Sequence, residues 1–404
     1  MKVLREFLDK QAPLFEKGGK LEKFHALYEL HDTGLFTPGS VTKTSSHVRD
    51  GMDLKRMMIT VVIALVPCIL MACYNTGYQI HHAISLGAKP LGNWQTGLYT
   101  ALGLGFDPSN TVACLVHGLL YWLPVWIVTM LTGAAAEVTT AILRNHEVNE
   151  GFLVTGFLIP LVLPATIPLW QVVLGTAFGI VFGKEVFGGT GMNFLNPALT
   201  ARAFLFFAYP AQISGDQVWV AASYVGLDSY SGATWLSRAA VDGHALQQVP
   251  WLDAFLGRIP GSMGETSTLA CLLGASVLIA TRVGSWRTMF GIVVGTFAMS
   301  TLLNQVGSAT NPMFAVPFTW HVVLGGWAFG TVFMATDPVS SAFTNTGKLY
   351  YGFFIGVLVV LVRVVNPAYP EGMMLAILFM NMFAPLIDHY VVRANIKRRE
   401  ARYA

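Results

Sequence analysis

The chain has 404 residues, of which 54% are apolar and only 12% charged, and its mean hydropathy is +0.55. Soluble domains carry about 25% charged residues, so the composition excludes a cytosolic enzyme and indicates one polytopic membrane domain with small polar appendages. The net charge of +3 and the four scattered cysteines favour neither a nucleic-acid surface, nor a disulfide framework, nor an iron–sulfur cluster on this chain.

Residues 1–56 form a polar N-terminal segment that contains ten Lys or Arg. Because they precede the first long apolar run, the segment lacks the pattern of a cleavable signal peptide and is expected to stay in the cytoplasm. The apolar runs that follow predict an all-α membrane protein with about ten transmembrane helices, near 57–76, 112–143, 152–163, 168–186, 195–209, 266–282, 287–304, 320–336, 350–365 and 372–392. Several runs are shorter than the ~20 residues of a full span, which is typical of half-helices buried in protein.

The distribution of basic residues supports this topology. With the N-terminus inside, 21 of the 25 Lys and Arg, including Lys184 and Arg202, fall on or near the cytoplasmic side, as the positive-inside rule requires. Both termini are then cytoplasmic. We expect a cytoplasmic segment at 1–56, a first transmembrane half at 57–209, a periplasmic loop at 210–264, a second transmembrane half at 265–392 and a cytoplasmic tail at 393–404.

The two halves resemble each other in sequence. The stretch from Trp170 to Phe182 matches the stretch from Trp320 to Phe333 with one inserted residue, and each follows a proline-broken segment. Internal repeats with broken helices are how many transporters build a polar site near the bilayer midplane. The count of ten runs makes the repeats parallel, whereas a re-entrant short run would make them inverted, and both arrangements stay open.

A polar motif in the predicted outer loop carries the first chemical signal, Asp228-Ser-Tyr-Ser-Gly-Ala-Thr234. It resembles the D-x-x-S/T-G-A-T signature at which a flavin transferase joins FMN to a threonine hydroxyl through a phosphodiester bond. Gly232 and Ala233 would leave the backbone open to a bulky nucleotide, and Thr234 would supply the oxygen. A covalently attached FMN would not need the glycine-rich loop that binds phosphate in noncovalent flavoproteins. This agrees with the sequence, which contains no G-x-G-x-x-G.

Further segments narrow the resemblance to the B subunit of the sodium-translocating NADH:quinone oxidoreductase. They are His146-Glu-Val-Asn-Glu-Gly151, Lys184-Glu-Val-Phe-Gly-Gly-Thr-Gly191, Asn193-Phe-Leu-Asn-Pro-Ala198, residues 204–216 and residues 363–374. The resemblance covers nearly the whole chain, but the segments 77–110 and 210–264 match the family less well in length. It implies a fold similar to urea transporters, with Leu163-Pro-Ala-Thr-Ile-Pro168 similar to the filter segment of those channels.

The resemblance also implies cofactors and site residues. Thr234 would hold covalent FMN, and Thr155, Asn193 and Asn196 match the family's contacts to a noncovalent riboflavin, although Asn and Thr at these places are also ordinary helix caps. Gly133 and Glu137 match the quinone region. Ala134 stands where the family often has a second glycine. This difference would change inhibitor sensitivity without changing the reaction.

Intramembrane carboxylates are the candidates for a sodium path, because a charge there costs ~2.5–3.5 kcal/mol on insertion scales and sodium prefers hard oxygen ligands. Glu137 and Asp388 each lie inside an apolar run. Asp337 lies at the end of the eighth run, where it could equally cap a turn. Glu29 matches an acidic residue of the family but lies in the basic N-terminal segment. There the simpler interpretation is a carboxylate on the water-exposed face of a helix.

Two alternatives remain. Asn196-Pro-Ala and Asn366-Pro-Ala resemble the paired motifs of aquaporins and would suit a passive channel, although the spacing fits that fold poorly. The D subunit of an Rnf-type electron-transport complex shares the flavin-linkage signature, but the long basic N-terminus and the segment that begins at His146 favour the sodium-pumping enzyme.

The interpretation is therefore a multi-pass subunit of the bacterial inner membrane that passes electrons through FMN and riboflavin to ubiquinone, coupled to sodium (Na+) export. The chain shows no NADH pocket. The resemblance implies a six-subunit complex in which one partner carries FMN and another oxidises NADH through FAD and an iron–sulfur centre. A flavin transferase, ubiquinone and membrane lipid complete the expected partners, and no nucleic acid is expected.

Overall fold

The fold is described from a computed structural model that covers residues 2–15, 18–25, 28, 54–144, 151–224, 230–366, 369 and 371–402. Helices dominate this part of the chain, and the two strands are short. The α-helices are α1 (Lys2–Phe15), α2 (Leu54–Ser85), α3 (Trp94–Ala101), α4 (Thr111–Arg144), α5 (Phe152–Leu161), α6 (Leu169–Gly183), α7 (Pro197–Ala208), α8 (Pro210–Ile213), α9 (Trp235–Val241), α10 (Trp251–Leu256), α11 (Thr268–Ala280), α12 (Trp286–Val306), α13 (Phe318–Val323), α14 (Trp327–Phe329), α15 (Asn345–Val365) and α16 (Met373–Glu400). Short 3₁₀ segments lie at Glu22–Phe24, Glu185–Phe187, Ala245–Gln248 and Pro312–Ala315, and a π-helix lies at Gly330–Met334.

Six of the described helices are long and apolar enough to cross a membrane, namely α2, α4, α6, α12, α15 and α16. Three more are apolar but shorter, namely α5, α7 and α11. The predicted run 320–336 is interrupted and contains α13, α14 and the π-helix. The structure therefore identifies a helical membrane protein with six full-length apolar helices in its described part, and the ten crossings stay a prediction.

Two helix pairs approach closely through glycines, one pair in each half. Between α2 and α4, a Cβ atom on Gly77 would lie 1.9 Å from the carbonyl oxygen of Cys114, and one on Gly118 would lie 1.8 Å from that of Cys73. Between α12 and α15, a Cβ atom on Gly295 would lie 2.1 Å from the carbonyl oxygen of Phe353. Membrane helices often pack through such small residues, because lipid removes most of the hydrophobic drive for association.

The two repeat copies differ in structure at the inserted residue. The first copy is the continuous helix α6. The second copy breaks after α13 at Leu324, where Gly325 adopts a left-handed φ of +63°, and it resumes as α14 and the π-helix. One extra residue in a helix is commonly absorbed as a π-bulge or a break, often at a functional site. The insertion thus converts a plain helix into a broken one in the second half.

A small two-stranded sheet joins the end of α2 to the predicted outer loop. β1 (Lys89–Pro90) pairs antiparallel with β2 (Ala222–Ser223). Around it lies a separate buried cluster that includes Trp219 and Tyr224, with Tyr230 packed against it. This cluster supports the backbone just before Thr234.

Candidate functional site

The three residues predicted to contact riboflavin converge on one cavity of about 70 Å³, here called the Asn196 cavity. Thr155 comes from α5, and Asn193 and Asn196 come from the loop before α7. The opposite wall comes from the second half and includes Asp337. Residues this far apart in the sequence need not meet, so the convergence distinguishes these polar residues from isolated helix caps.

The polar side chains of the Asn196 cavity are held in place by their own backbone. The amide oxygen of Asn196 caps α7 by accepting hydrogen bonds from the N–H groups of Ala198 (3.0 Å) and Leu199 (3.2 Å), as N-cap residues do. The amide nitrogen of Asn193 donates to the carbonyl oxygen of Leu195 (2.9 Å). Within the described part of the chain, these bonds leave the Asn196 amide nitrogen and the Asn193 amide oxygen available to a ligand. A donor, an acceptor and the Thr155 hydroxyl suit the alternating carbonyl and N–H groups of a flavin's pyrimidine edge.

Asp337 closes the same cavity from the other half. Its carboxylate accepts hydrogen bonds from the N–H of Val339 (3.2 Å) and the hydroxyl of Ser340 (2.7 Å). This is the turn-capping geometry of aspartate, and it fixes the loop that follows the π-helix. Asp337 therefore combines a structural role with a position on the cavity wall.

A buried lysine at the Asn196 cavity is not among the predicted site residues. Lys184 lies on the cavity wall and is only 4% exposed, and its ammonium group forms a salt bridge with Glu137, which is 3% exposed. Its distance to the Glu185 carboxylate is 3.7 Å. From the sequence, Lys184 is one of the cytoplasmic charges and begins a family-like segment, but it has no predicted site role. The salt bridge links the predicted quinone residue Glu137 to the predicted riboflavin cavity.

Gly133 lies one helical turn before Glu137 on α4, as the spacing predicts. The space beside it is not open. A Cβ atom on Gly133 would lie 2.0 Å from the ring of Phe152 and 2.7 Å from the side chain of Ile180. A flat ligand beside Gly133 would therefore require the Phe152 ring to move.

Thr234 begins helix α9 and is buried at 6% exposure. Its hydroxyl oxygen accepts from the N–H of Ser237 (3.3 Å) and lies 3.1 Å from the Ser237 hydroxyl. One turn later, the Arg238 guanidinium stacks 4.4 Å from the centre of the Trp235 ring and donates to the carbonyl oxygen of Ala233 (3.2 Å). We call this arrangement the Thr234 site. The guanidinium also donates to the carbonyl oxygen of Ser231, so it is held by the backbone of the motif just before Thr234.

The motif residues before Thr234 are more tightly packed than the sequence indicates. A Cβ atom on Gly232 would lie 2.2 Å from the hydroxyl oxygen of Tyr224 and 2.4 Å from the carbonyl oxygen of Asp216. The glycine thus permits contact with the protein rather than leaving space for a nucleotide. Burial raises the pKa of Tyr230 to about 12, and the nearby Arg238 charge opposes that rise. Asp228 lies outside the described residues.

The other predicted sodium residues do not join these sites. The Asp388 carboxylate accepts from the N–H groups of Phe343 (2.6 Å) and Thr344 (3.0 Å) and from the Thr344 hydroxyl (2.5 Å). It thereby anchors the start of α15 to α16. Neither His389 nor Arg393, its neighbours in sequence, supplies these contacts. Glu29 lies outside the described residues.

A cluster of buried charges near Thr234 is not predicted from the sequence. Arg202 on α7 forms a salt bridge with Glu265 (2.6 Å), and both are 6% exposed. Arg363, fully buried, donates to the carbonyl oxygens of Glu371 (2.9 Å), His321 (2.7 Å) and Leu324 (2.8 Å). From the sequence we expect Arg202 on or near the cytoplasmic side, whereas it pairs with Glu265, which directly follows the predicted outer loop. Because a buried ion pair carries no topological signal, the side on which Arg202 lies stays a prediction.

The aquaporin-like interpretation gains little from the geometry. The Asn196 amide oxygen is engaged by its own helix. In the second motif, Pro367 and Ala368 lie outside the described residues.

Comparison with known proteins gives a consistent result. The family model described as "NQR2, RnfD, RnfE family" matches residues 41–397. The chain is 59% identical over 403 residues to a protein of Chromohalobacter salexigens, covering 99% of this chain and 97% of that protein. It is 58% identical over 406 residues to a protein of Azotobacter vinelandii, covering 99% of each. Both relatives are named as the B subunit of Na(+)-translocating NADH-quinone reductase. With a matching family model over most of its length and relatives this similar, the chain belongs to the NQR2, RnfD, RnfE family.

Proposed function

We propose that this chain is the membrane-embedded B subunit of a sodium-translocating NADH:quinone reductase. Support comes from relatives of that name that match nearly all of the chain and from six helices fit to cross a membrane. The names of these relatives favour this function over an Rnf-type D subunit. In this proposal the chain lies in a bacterial inner membrane with both termini in the cytoplasm, and its ten apolar segments form two repeats in a urea-transporter-like fold.

Thr234 is the proposed attachment point of FMN, through a phosphodiester made by a flavin transferase. A flavin bound there would supply one- and two-electron transfer. The chain would contribute the Thr234 hydroxyl oxygen, which caps α9, and Arg238 would hold the motif backbone through the Ala233 carbonyl oxygen. Because Thr234 is buried, we expect the transferase to act on a more open form of this segment.

The Asn196 cavity is the proposed riboflavin site, and the convergence of Thr155, Asn193 and Asn196 on it is the observation that carries the proposal. Because a cavity of about 70 Å³ is much smaller than a flavin, riboflavin would bind with the walls further apart than in this structure. The protein would orient the flavin by its pyrimidine edge. Lys184 on the same wall would add no net charge at that edge, because Glu137 balances its ammonium.

Quinone reduction is proposed beside Gly133 and Glu137, on the far side of the salt bridge with Lys184. A quinone at this place would displace the Phe152 ring, and the transferable proton of the Glu137–Lys184 pair would be on the Lys184 ammonium. For sodium, we propose that Glu137 and Asp337 contribute to the path directly. Asp388 would contribute by fixing the loop before α15 rather than by coordinating the ion, because its carboxylate already accepts three hydrogen bonds.

The proposed chain does not act alone. It would receive electrons from an FMN-bearing subunit, which in turn depends on an NADH-oxidising subunit with FAD and an iron–sulfur centre, in a six-subunit complex. Ubiquinone is the final acceptor.

The intact mass of the purified chain tests the covalent flavin. We expect the wild-type chain to carry an added FMN, lost in Thr234→Ala, with ultraviolet fluorescence of the denatured chain following the mass. Ser237→Ala is the matched control, because it removes the neighbouring hydroxyl but keeps the acceptor. An adduct that persists in Thr234→Ala, or one absent from the wild type, would sink the assignment.

A further inference from the structure

The backbone of Asn196 is held on two sides, and only one of them is its own helix. Its side-chain oxygen caps α7, and its carbonyl oxygen accepts hydrogen bonds from the N–H (3.0 Å) and the hydroxyl (2.9 Å) of Thr200. The N–H of Asn196 precedes the helix, and the residue is only 3% exposed. A buried N–H needs a hydrogen-bond acceptor, so this one requires a partner from outside α7.

That partner is Asn381, a fully buried residue of α16 in the second half. Its side-chain oxygen accepts from the Asn196 N–H at 3.2 Å, and its amide nitrogen donates to the Tyr351 hydroxyl oxygen (2.5 Å) and the Ile377 carbonyl oxygen (3.2 Å). In this orientation of the amide, each of the three contacts joins a donor to an acceptor. Asn381 thus connects the start of α7 to α15 and α16.

Tyr351 fixes the amide of Asn381 from the side of α15. It is fully buried. The next residue, Gly352, packs so closely against α12 that a Cβ atom on it would lie 2.3 Å from the carbonyl oxygen of Thr288. The Tyr351 hydroxyl is therefore presented from a backbone with little room to move. Together with the Ile377 carbonyl oxygen, it gives the amide nitrogen two acceptors and leaves the amide oxygen for the start of α7.

Loss of the Asn381 oxygen would leave the Asn196 N–H buried without an acceptor. Such a group is costly, so the segment before α7 would shift until the N–H reached water or another acceptor. The same shift would move the Asn196 amide nitrogen, which lines the Asn196 cavity. Hydrogen bonds weaken steeply when the donor is misaligned. Asn381 is not among the described residues that line this cavity, so its influence on a ligand would be indirect.

We propose that Asn381, oriented by Tyr351, is a positioning residue of the riboflavin site. It holds the Asn196 N–H so that the Asn196 amide nitrogen keeps its place on the wall of the cavity. This inference rests on the proposed riboflavin site, and it adds two residues of the second half to a polar set, Thr155, Asn193 and Asn196, that comes entirely from the first half.

The test measures the dissociation constant of riboflavin by equilibrium dialysis against the purified, riboflavin-depleted complex. Asn381→Leu removes the amide at similar size, and we expect it to raise the dissociation constant by about tenfold or more, as expected for a buried N–H left without its partner. Covalent flavin on the same samples should not change. Asn381→Asp restores an oxygen acceptor for the Asn196 N–H and should bind riboflavin more tightly than Asn381→Leu does.

Asn75→Leu is the matched control. Asn75 is an amide of α2 that is 4% exposed and donates to the carbonyl oxygen of Ile259 (2.9 Å). Its loss should lower thermal stability, because a buried hydrogen bond is removed, but riboflavin should bind as in the wild type.

Wild-type riboflavin binding in Asn381→Leu, when Asn196→Asp has lost it, would overturn the inference and leave the proposed site intact. Equally weak binding in Asn381→Leu and Asn381→Asp would also overturn it, because the effect would then come from packing. Wild-type complex that binds no riboflavin, or Asn196→Asp that binds it normally, would overturn the proposed site and the inference together.

If Asn381→Leu fails to assemble, Tyr351→Phe decides, because it removes only one hydroxyl. Without that acceptor the Asn381 amide is less strongly oriented, and we expect the dissociation constant of riboflavin to rise by about threefold or more. A rise of this kind at normal covalent flavin would support the inference, and an unchanged dissociation constant would contradict it.

Discussion

The Asn196 cavity and the Thr234 site hold polar groups by different means. In the first, neutral amides at a helix start are fixed by their own backbone, and the charge of Lys184 is balanced by Glu137. Beside the second, the buried side chains of Arg202, Glu265 and Arg363 and the half-buried Glu371 gather around a broken helix. The first arrangement suits recognition of a neutral ring by hydrogen bonds. The second suits a place where a group gains or loses charge, because adding or removing one charge there changes the net charge of the cluster.

Among the substitutions that test this difference, we expect the largest loss of stability at Lys184. Lys184→Met removes the buried ammonium between Glu137 and Glu185, and loss of one partner of a buried ion pair typically destabilises by about 3–5 kcal/mol. We expect a marked fall in the thermal stability and yield of the complex. The exposed Lys89→Met is the control. The double variant Lys184→Met, Glu137→Gln should recover much of the loss, and an equally poor double variant would show that the pair is not the cause.

A smaller effect is expected where α4 meets α5. Gly133→Ala places a methyl group within 2.0 Å of the Phe152 ring, and such overpacking costs about 1–3 kcal/mol. Adding Phe152→Leu should restore stability. Gly97→Ala is the control, since it meets only open space.

The double variant Gly133→Ala, Phe152→Leu also tests the quinone proposal. If quinone binds beside Gly133, the restored double variant should still reduce quinone poorly while oxidising NADH normally with artificial acceptors. Normal quinone reduction in that variant would make Gly133 a packing residue alone.

The sequence alone predicts most of the polar residues of the Asn196 cavity but fewer of the residues around the Thr234 site. The apolar runs locate the helices, since hydrophobic runs of this length have few other uses. Thr155, Asn193, Asn196 and Thr234 are found through family resemblance, because isolated Asn and Thr residues carry little signal of their own. The charges around Thr234 come from segments far apart in the chain. Arg202 looks like a topological charge, and Glu265 and Glu371 each lie just outside an apolar run, so no local pattern joins them.

The smallest effect is expected at Asp388. Asp388→Asn retains one side-chain oxygen but weakens the hydrogen bonds to Phe343 and Thr344, at a cost of about 1–2 kcal/mol. We expect faster hydrogen exchange at the start of α15 and an unchanged sodium concentration for half-maximal quinone reduction. A raised sodium requirement at normal flavin content would instead make Asp388 a direct part of the ion path.

The separation of flavins between the two sites is the central claim, and it is tested by denaturing the complex and quantifying both the flavin retained on this chain and the riboflavin released. We expect equimolar retained FMN and released riboflavin in the wild type. Thr234→Ala should lose only the retained flavin. Asn196→Asp, which keeps the oxygen that caps α7 but not the amide donor, should lose only the released riboflavin. Loss of both flavins in either variant at normal assembly, or loss of neither, would contradict the account.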